Sequence, residues 1–218
     1  MKPDPSLRRV APFTYEIAFE AIIAPEIHDH AIRCRMDLLD ASLPGIDDVF
    51  ITYHSVGIRI SPFINKDIEH LLRDWLSTWL QKRPTTSDSH RSFATHVIPV
   101  TFGGDYGIDL QDVAAFAQIS EQEVIRMFCE NEYRVYMTGF IGGFPYLGTV
   151  PEALRKPRLA KPRKKVIAGS VGIASFQAGI YPVETPGGWN LIGRTEVDIS
   201  SLSLQPGDRV RFTEARHD

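Results

Sequence analysis

The sequence predicts an α+β protein, with a small βαββα N-terminal domain over residues 1–84 and a β-barrel domain over residues 85–218. Three observations predict it. Residues 13–81 alternate strand-like and helix-like apolar patterns. Residues 83–90, RPTTSDSH, are polar, carry a proline and have no period, as inter-domain linkers do. From Tyr133 onward, short apolar runs are separated by proline and glycine turns.

In the first domain a proline-containing leader precedes Phe13–Phe19, FTYEIAF, which alternates as a half-buried strand does. Residues 26–39 set Ile27, Ala31, Cys34 and Leu38 on one helical face, and Pro44-Gly45 then turns the chain. Val49–Tyr53 and Val56–Ile60 read as strands. A helix from about Asn65 to Gln81 follows, striped by Ile68, Leu71, Leu72, Trp75, Leu76 and Trp79. A small antiparallel sheet covered on one face by two helices can bury such a core.

The second domain opens with a strand over Thr95–Thr101. Asp109 then caps a helix, and Ser120-x-x-Glu123 starts a second one that runs to about Glu130. Ala114, Ile119, Ser120 and Val124 fall where a helix-turn-helix has its small, apolar and turn residues. The charge argues against DNA recognition: Glu121, Glu123 and Glu130 oppose a single Arg126 on a helix that would have to meet phosphates. Beyond Tyr133 only Pro151–Arg155 has helical character, and Val166–Ile173 and Val210–Phe212 read as barrel strands.

A net charge of −3 excludes a global footprint for nucleic acid or anionic lipid. The first ten residues, MKPDPSLRRV, lack an apolar core, and no apolar run approaches the ~18 residues that span a bilayer. A cytoplasmic protein without a membrane segment is expected. Cys34 and Cys129 supply neither a disulfide framework nor a metal site and read as buried thiols. The seven histidines are scattered, so no metal set is expected.

Residues 139–195 concentrate turn, aromatic and cationic residues. Gly139, Gly142, Gly143, Gly148, Gly187 and Gly188 allow close backbone approach, while Phe140, Phe144, Tyr146, Tyr181 and Trp189 supply rigid apolar walls. A binding site built from turns and a set of barrel hairpins without a ligand both fit this composition. Arg155, Lys156, Arg158, Lys161, Arg163, Lys164 and Lys165 form a cluster with no acid between Glu152 and Glu184. Arg158 and Arg163 each follow a proline and are the better candidates for holding a carboxylate or phosphate; the lysines read as solvated. Ala168-Gly169-Ser170-Val171-Gly172 is one glycine short of a nucleophile elbow and continues as strand, so Ser170 reads as a turn or strand serine. No phosphate-binding Walker loop is present.

Several motifs here resemble one family. They are Gly139-Phe140, Gly143-Phe144-Pro145-Tyr146-Leu147-Gly148, Pro157-Arg158, Pro162-Arg163, Ala168-Gly169-Ser170-Val171-Gly172-Ile173, Gln177, Gly179-Ile180-Tyr181-Pro182, Pro186-Gly187-Gly188-Trp189 and Ile192-Gly193-Arg194-Thr195. HVIPVTFGGDYGID at residues 96–109 and PGDRVRF at 206–212 extend the similarity. The chain resembles the KipI and allophanate hydrolase subunit 1 family, which includes PxpB, the B subunit of bacterial 5-oxoprolinase.

The resemblance implies a cyclophilin-like C-terminal barrel. It implies a non-autonomous subunit that works with PxpA-like and PxpC-like subunits to open 5-oxoproline to glutamate, with ATP used by the complex and no cofactor bound by this chain alone. The alternative it carries is KipI-like inhibition of a sensor histidine kinase. Contacts with substrate or partner are expected on a barrel face formed by Phe144, Tyr146, Arg158, Arg163, Gln177, Tyr181, Trp189 and Arg194; no residue is assigned a catalytic step. The chain departs from the family at Phe128, Gly142, Ile167 and Ala178, where relatives commonly have histidine, proline, proline and threonine. The changes at 128 and 178 remove two hydrogen-bonding groups.

Overall fold

The computed structural model describes residues 5–63, 67–82, 93–139 and 141–215. The 83–90 linker, the helix start near Asn65, and Phe140, His90 and His217 lie outside the described residues. The chain divides into two compact units, Met1–Ser92 and Phe93–Asp218.

The first unit runs β1 (Ser6–Ala11), β2 (Thr14–Ala18), α1 (Pro25–Asp40), β3 (Ile46–Ile51), β4 (Ser55–Ile60) and α2 (Ile68–Lys82). Its antiparallel sheet has the order β1-β2-β4-β3. One strand, β1, stands where the sequence reads as a leader. It is an edge strand in which only Leu7 is buried, so no alternation marks it. Pro25 suits the first turn of α1, where an amide hydrogen has no helical partner. Helix α1 buries Ile27, Ala31, Cys34 and Leu38 against β3 and β4, and α2 buries Ile68, Leu72, Leu76 and Trp79. The Trp79 indole donates to Asp37 Oδ2 at 2.8 Å, tying the two helices together.

The second unit contains β5 (Thr95–Phe102), α3 (Leu110–Ala117), α4 (Glu121–Glu130), β6 (Glu132–Gly139), β7 (Phe144–Gly148), β8 (Arg163–Val166), β9 (Ser170–Ala174), β10 (Gln177–Ile180), β11 (Thr185–Gly187), β12 (Asn190–Arg194) and β13 (Arg209–Glu214). Seven of these strands close a barrel in the order β10-β7-β6-β13-β5-β12-β9, and β9 pairs with β10 to complete it. Strands β5 and β13 are parallel, while the other barrel pairs are antiparallel. Strands β8 and β11 form a separate two-stranded ribbon. The expected helical character of 151–155 is a single 3-10 turn, Glu152–Leu154.

Helix α4 begins as its capping pattern predicts: Ser120 Oγ accepts the Glu123 amide at 3.1 Å. At α3, Asp109 occupies the N-cap position but makes no side-chain cap bond, because its carboxylate is committed elsewhere. The barrel core holds Ile98, Val100, Val124, Leu147, Val171, Ile173, Ile192 and Phe212. Phe128 enters it from α4, 4.8 Å from the Phe212 ring and 4.9 Å from that of Tyr133. Ala178 faces the same core. The departures at 128 and 178 therefore fall in apolar surroundings, where phenylalanine and alanine need no hydrogen-bond partner. Both cysteines are free; Cys34 is buried, whereas Cys129 is only partly so. Burial raises the Cys34 thiol well above its usual range and the Cys129 thiol to about 11.

Candidate functional site

A second, smaller core of Phe144, Val166, Tyr181 and Leu191 lies apart from the barrel interior, with Tyr146 and Trp189 packed against it. Strand alternation creates it. In β7, Leu147 points into the barrel core while Phe144 and Tyr146 share the opposite face. Gly179 of β10 sits opposite Tyr146, and a Cβ there would come within 2.4 Å of the Phe144 ring. Glycine at 179 thus lets the aromatic ring lie against the strand. The Phe144 centroid is 5.0 Å from that of Tyr146 and 5.1 Å from those of Tyr181 and Trp189, all edge-to-face.

These four aromatic residues, with Arg158, Pro186, Gly187 and Gly188, line a cleft of about 250 Å³. Gly187 leaves room for the Tyr181 hydroxyl, which a Cβ at 187 would approach to 2.3 Å. Burial raises the Tyr146 phenol above its ordinary range. Burial also raises that of Tyr181, against the opposing pull of a hydrogen bond with the Trp189 backbone and of the Arg163 and Arg158 charges. Both phenols therefore keep their protons at neutral pH and can donate.

Arg158 is exposed at this cleft and has no carboxylate or carbonyl partner among the described residues. The backbone around it is held. The Lys156 carbonyl accepts the Ser175 amide at 2.8 Å, and the Leu159 amide donates to the Gly188 carbonyl at 2.7 Å. Between them, Asn190 Nδ2 donates to the Pro157 carbonyl at 2.9 Å. The result is an uncommitted cation on an anchored loop beside two phenolic donors and an apolar wall, an arrangement suited to a small anion with a flat apolar body.

Five of the eight sequence-predicted residues meet in the cleft: Phe144, Tyr146, Arg158, Tyr181 and Trp189. The other three do not line it. Arg163 donates to Asp109 Oδ1 at 2.6 Å and to the Trp189 carbonyl at 3.3 Å, so it braces the cleft from behind. Gln177 lies on the same strand face as Gly179 but at the far end of β10, opposite Gly148. Arg194 stands over the Tyr106 ring at 5.1 Å and lines a different depression with Gly169, Thr195 and Asp198. The single barrel face expected from sequence is therefore divided, because β12 carries Trp189 before its first residue and Arg194 at its last.

Lys165 pairs with Glu184 at 2.7 Å and Lys156 with the Asp112 carbonyl at 3.0 Å, both at the surface. Ser170 begins β9 and is followed by strand, without the helix that an elbow requires. Asp109 and Asn190 are two site residues that sequence reasoning misses. Asp109 carries a helix-cap signal, and nothing local marks Asn190. Among the described residues no group of three or more His, Cys, Asp or Glu is arranged to hold a metal ion, and no helix is long and apolar enough to cross a membrane.

Residues 5–206 match the family described as carboxyltransferase domain, subdomain C and D. A Bacillus subtilis protein, named as the B subunit of 5-oxoprolinase, is 46% identical over 180 residues, which is 78% of this chain and 71% of that protein. The chain belongs to this carboxyltransferase-domain family, among the 5-oxoprolinase PxpB proteins. A Haemophilus influenzae member of the same name is 51% identical over 121 residues, covering 53% of this chain and 57% of its own length. The chain thus spans little more than half of that relative. The solved protein TTHA0988 superposes with a TM-score of 0.77 at 33% identity, over 98% of this chain and 41% of that one. In this member of the carboxyltransferase-domain family, every cleft residue falls inside the matched span.

Proposed function

We propose that this chain acts as the PxpB component of an ATP-dependent 5-oxoprolinase, working in the cytoplasm with PxpA-like and PxpC-like subunits to open 5-oxoproline to glutamate. The observation that carries this reading is Arg158, a cation without a partner among the described residues, at a cleft whose two phenols stay protonated. The names of the relatives support it.

5-Oxoproline has a carboxylate, a lactam carbonyl and a small apolar ring. Arg158 forks onto the carboxylate, which an arginine can grip with two parallel bonds. Tyr146 or Tyr181 donates its hydroxyl to the lactam oxygen, polarising the carbonyl toward attack. Phe144 and Trp189 cover the ring methylenes and exclude water. A cleft of about 250 Å³ lies just below the roughly 300–1,000 Å³ of drug-sized ligand pockets and suits such a ring better than a nucleotide. The lactam is a stable amide, so coupling its opening to ATP supplies the driving force. This chain alone binds no ATP in this reading, and nucleotide chemistry belongs to the assembled complex. The barrel is read as cyclophilin-like, with the site on its outer surface.

Co-expression with the chromosomal neighbours, followed by purification and an ATP-dependent oxoproline assay, tests the proposal. Turnover is expected from the assembled complex and not from the isolated chain, and Arg158→Glu should suppress it. Turnover indifferent to Arg158→Glu would overturn the site. Recovery of a histidine kinase in place of the partner subunits would overturn the function.

A further inference from the structure

We propose that Asn190 is the positioning residue for the Arg158 guanidinium, acting through the carbonyl of Pro157; this rests on the reading of Arg158 as the carboxylate anchor. Asn190 is fully buried at the first position of β12. Its Nδ2 donates at 2.9 Å to the Pro157 carbonyl and at 3.1 Å to the Ile173 carbonyl, so both amide hydrogens are used. The reverse amide orientation would aim an acceptor at two carbonyl oxygens, so the bonding pattern sets which end points where.

Asn190 is paired with Ile173 of β9, and the same side chain reaches out to the 155–159 loop. Pro157 is thereby referenced to the barrel wall immediately before Arg158. The flanking straps, from Ser175 to Lys156 and from Leu159 to Gly188, are backbone bonds. The Asn190 bond is made by a side chain and can be cut by substitution. The Oδ1 atom of Asn190 is buried without a partner among the described residues. A leucine of similar size would avoid that cost but would strip the donor from the Pro157 and Ile173 carbonyls, so what the amide contributes here is those two bonds and not packing. Holding the loop does. Arginine is long and rotamer-rich, and an error of about 1 Å in its anchor is enough to spoil the geometry of a bound group.

The test uses the full chain with two probes, 5-oxoproline and 2-pyrrolidinone, the same lactam without the carboxylate. Asn190→Leu should weaken 5-oxoproline binding about tenfold and leave 2-pyrrolidinone binding unchanged. In an Arg158→Gln background, the same substitution should cost nothing further. Equal weakening of both probes, or full additivity with Arg158→Gln, would overturn the proposal and leave Asn190 a structural residue. A second readout needs no ligand. The Arg158 Nε–Hε resonance of the free chain should move in Asn190→Leu, and an unmoved resonance would also overturn it. If the unaltered chain bound neither probe, the functional reading would fail while the resonance still decided the role of Asn190. Should the leucine variant not fold, Asn190→Ser, a donor too short to reach both carbonyls, carries the same comparisons.

Discussion

Arg163 and Asp109 meet at 2.6 Å across 54 residues of sequence, and the other oxygen of Asp109 accepts the Leu191 amide at 2.7 Å. The pair fastens ribbon strand β8 to the start of α3 and to barrel strand β12. The neighbouring arginine, Arg158, has no such attachment among the described residues, so two arginines that look alike in sequence stand in different surroundings.

Arg163→Glu is expected to act on stability. The Asp109 side chain is 7% exposed and would face a second carboxylate. Breaking such a pair costs about 3–5 kcal/mol when both partners are buried; the lower end applies here because a quarter of the Arg163 side chain is exposed. A fall in melting temperature on the order of 10 °C should follow. A melting curve superimposable on that of the unaltered chain would contradict the brace.

Arg158→Glu should do the opposite, leaving stability within about 0.5 kcal/mol while weakening 5-oxoproline binding at least about tenfold, or ~1.4 kcal/mol. Calorimetric titration beside a urea curve separates the two effects. Lys164→Glu and Lys165→Glu should change neither by much, since the exposed Lys165–Glu184 pair is worth about 0–1 kcal/mol. Comparable loss of affinity at all three positions would mean that general positive charge, not Arg158, attracts the ligand.

Burial raises the phenols of Tyr133, Tyr146 and Tyr181 above the ordinary tyrosine value of about 10. Their folded-state values exceed the unfolded ones, so the stability tied to their protons is fully present below about pH 10 and is lost as pH rises through the folded values. Ultraviolet titration should show phenols still protonated at pH 10 and ionising late, with unfolding. Tyr181→Phe should remove one late-titrating group. Complete ionisation at pH 10 in a protein that remains folded would refute the assignment.

Ser120→Ala should destabilise the second unit by ~1 kcal/mol, and Ser120→Gly by only a few tenths, because the hydroxyl satisfies the Glu123 amide at the start of α4. Urea unfolding of the two variants gives the comparison, and equal stability of Ser120→Ala and the unaltered chain would remove the cap from the account.

Local features were legible from sequence alone. The apolar stripe of α2, the Ser120 cap and the alternation of β2 depend on residues a few positions apart, and each is found where its period or motif points. The aromatic content of the cleft was legible too, because Phe144, Tyr146, Tyr181 and Trp189 lie in one glycine-rich stretch. Strand β1 was not, since an edge strand that buries one side chain leaves no pattern to read.

Tertiary structure alone decided which cations and polar groups serve that cleft. Arg158 and Arg163 both follow a proline, and nothing near them distinguishes a cation held by a carboxylate from one left to the cleft. The distinction lies in Asp109, brought to Arg163 by the pairing of β12 with its neighbours and the packing of α3. Arg194 was separated from Trp189 by the length of β12, and Gln177 from the cleft by the register of β10 on β7. Periodicity and capping are encoded by interactions within a turn or strand, and the sequence determined them. The partner of a charge is set by which strands close the barrel and in what register, and that is a property of the folded chain.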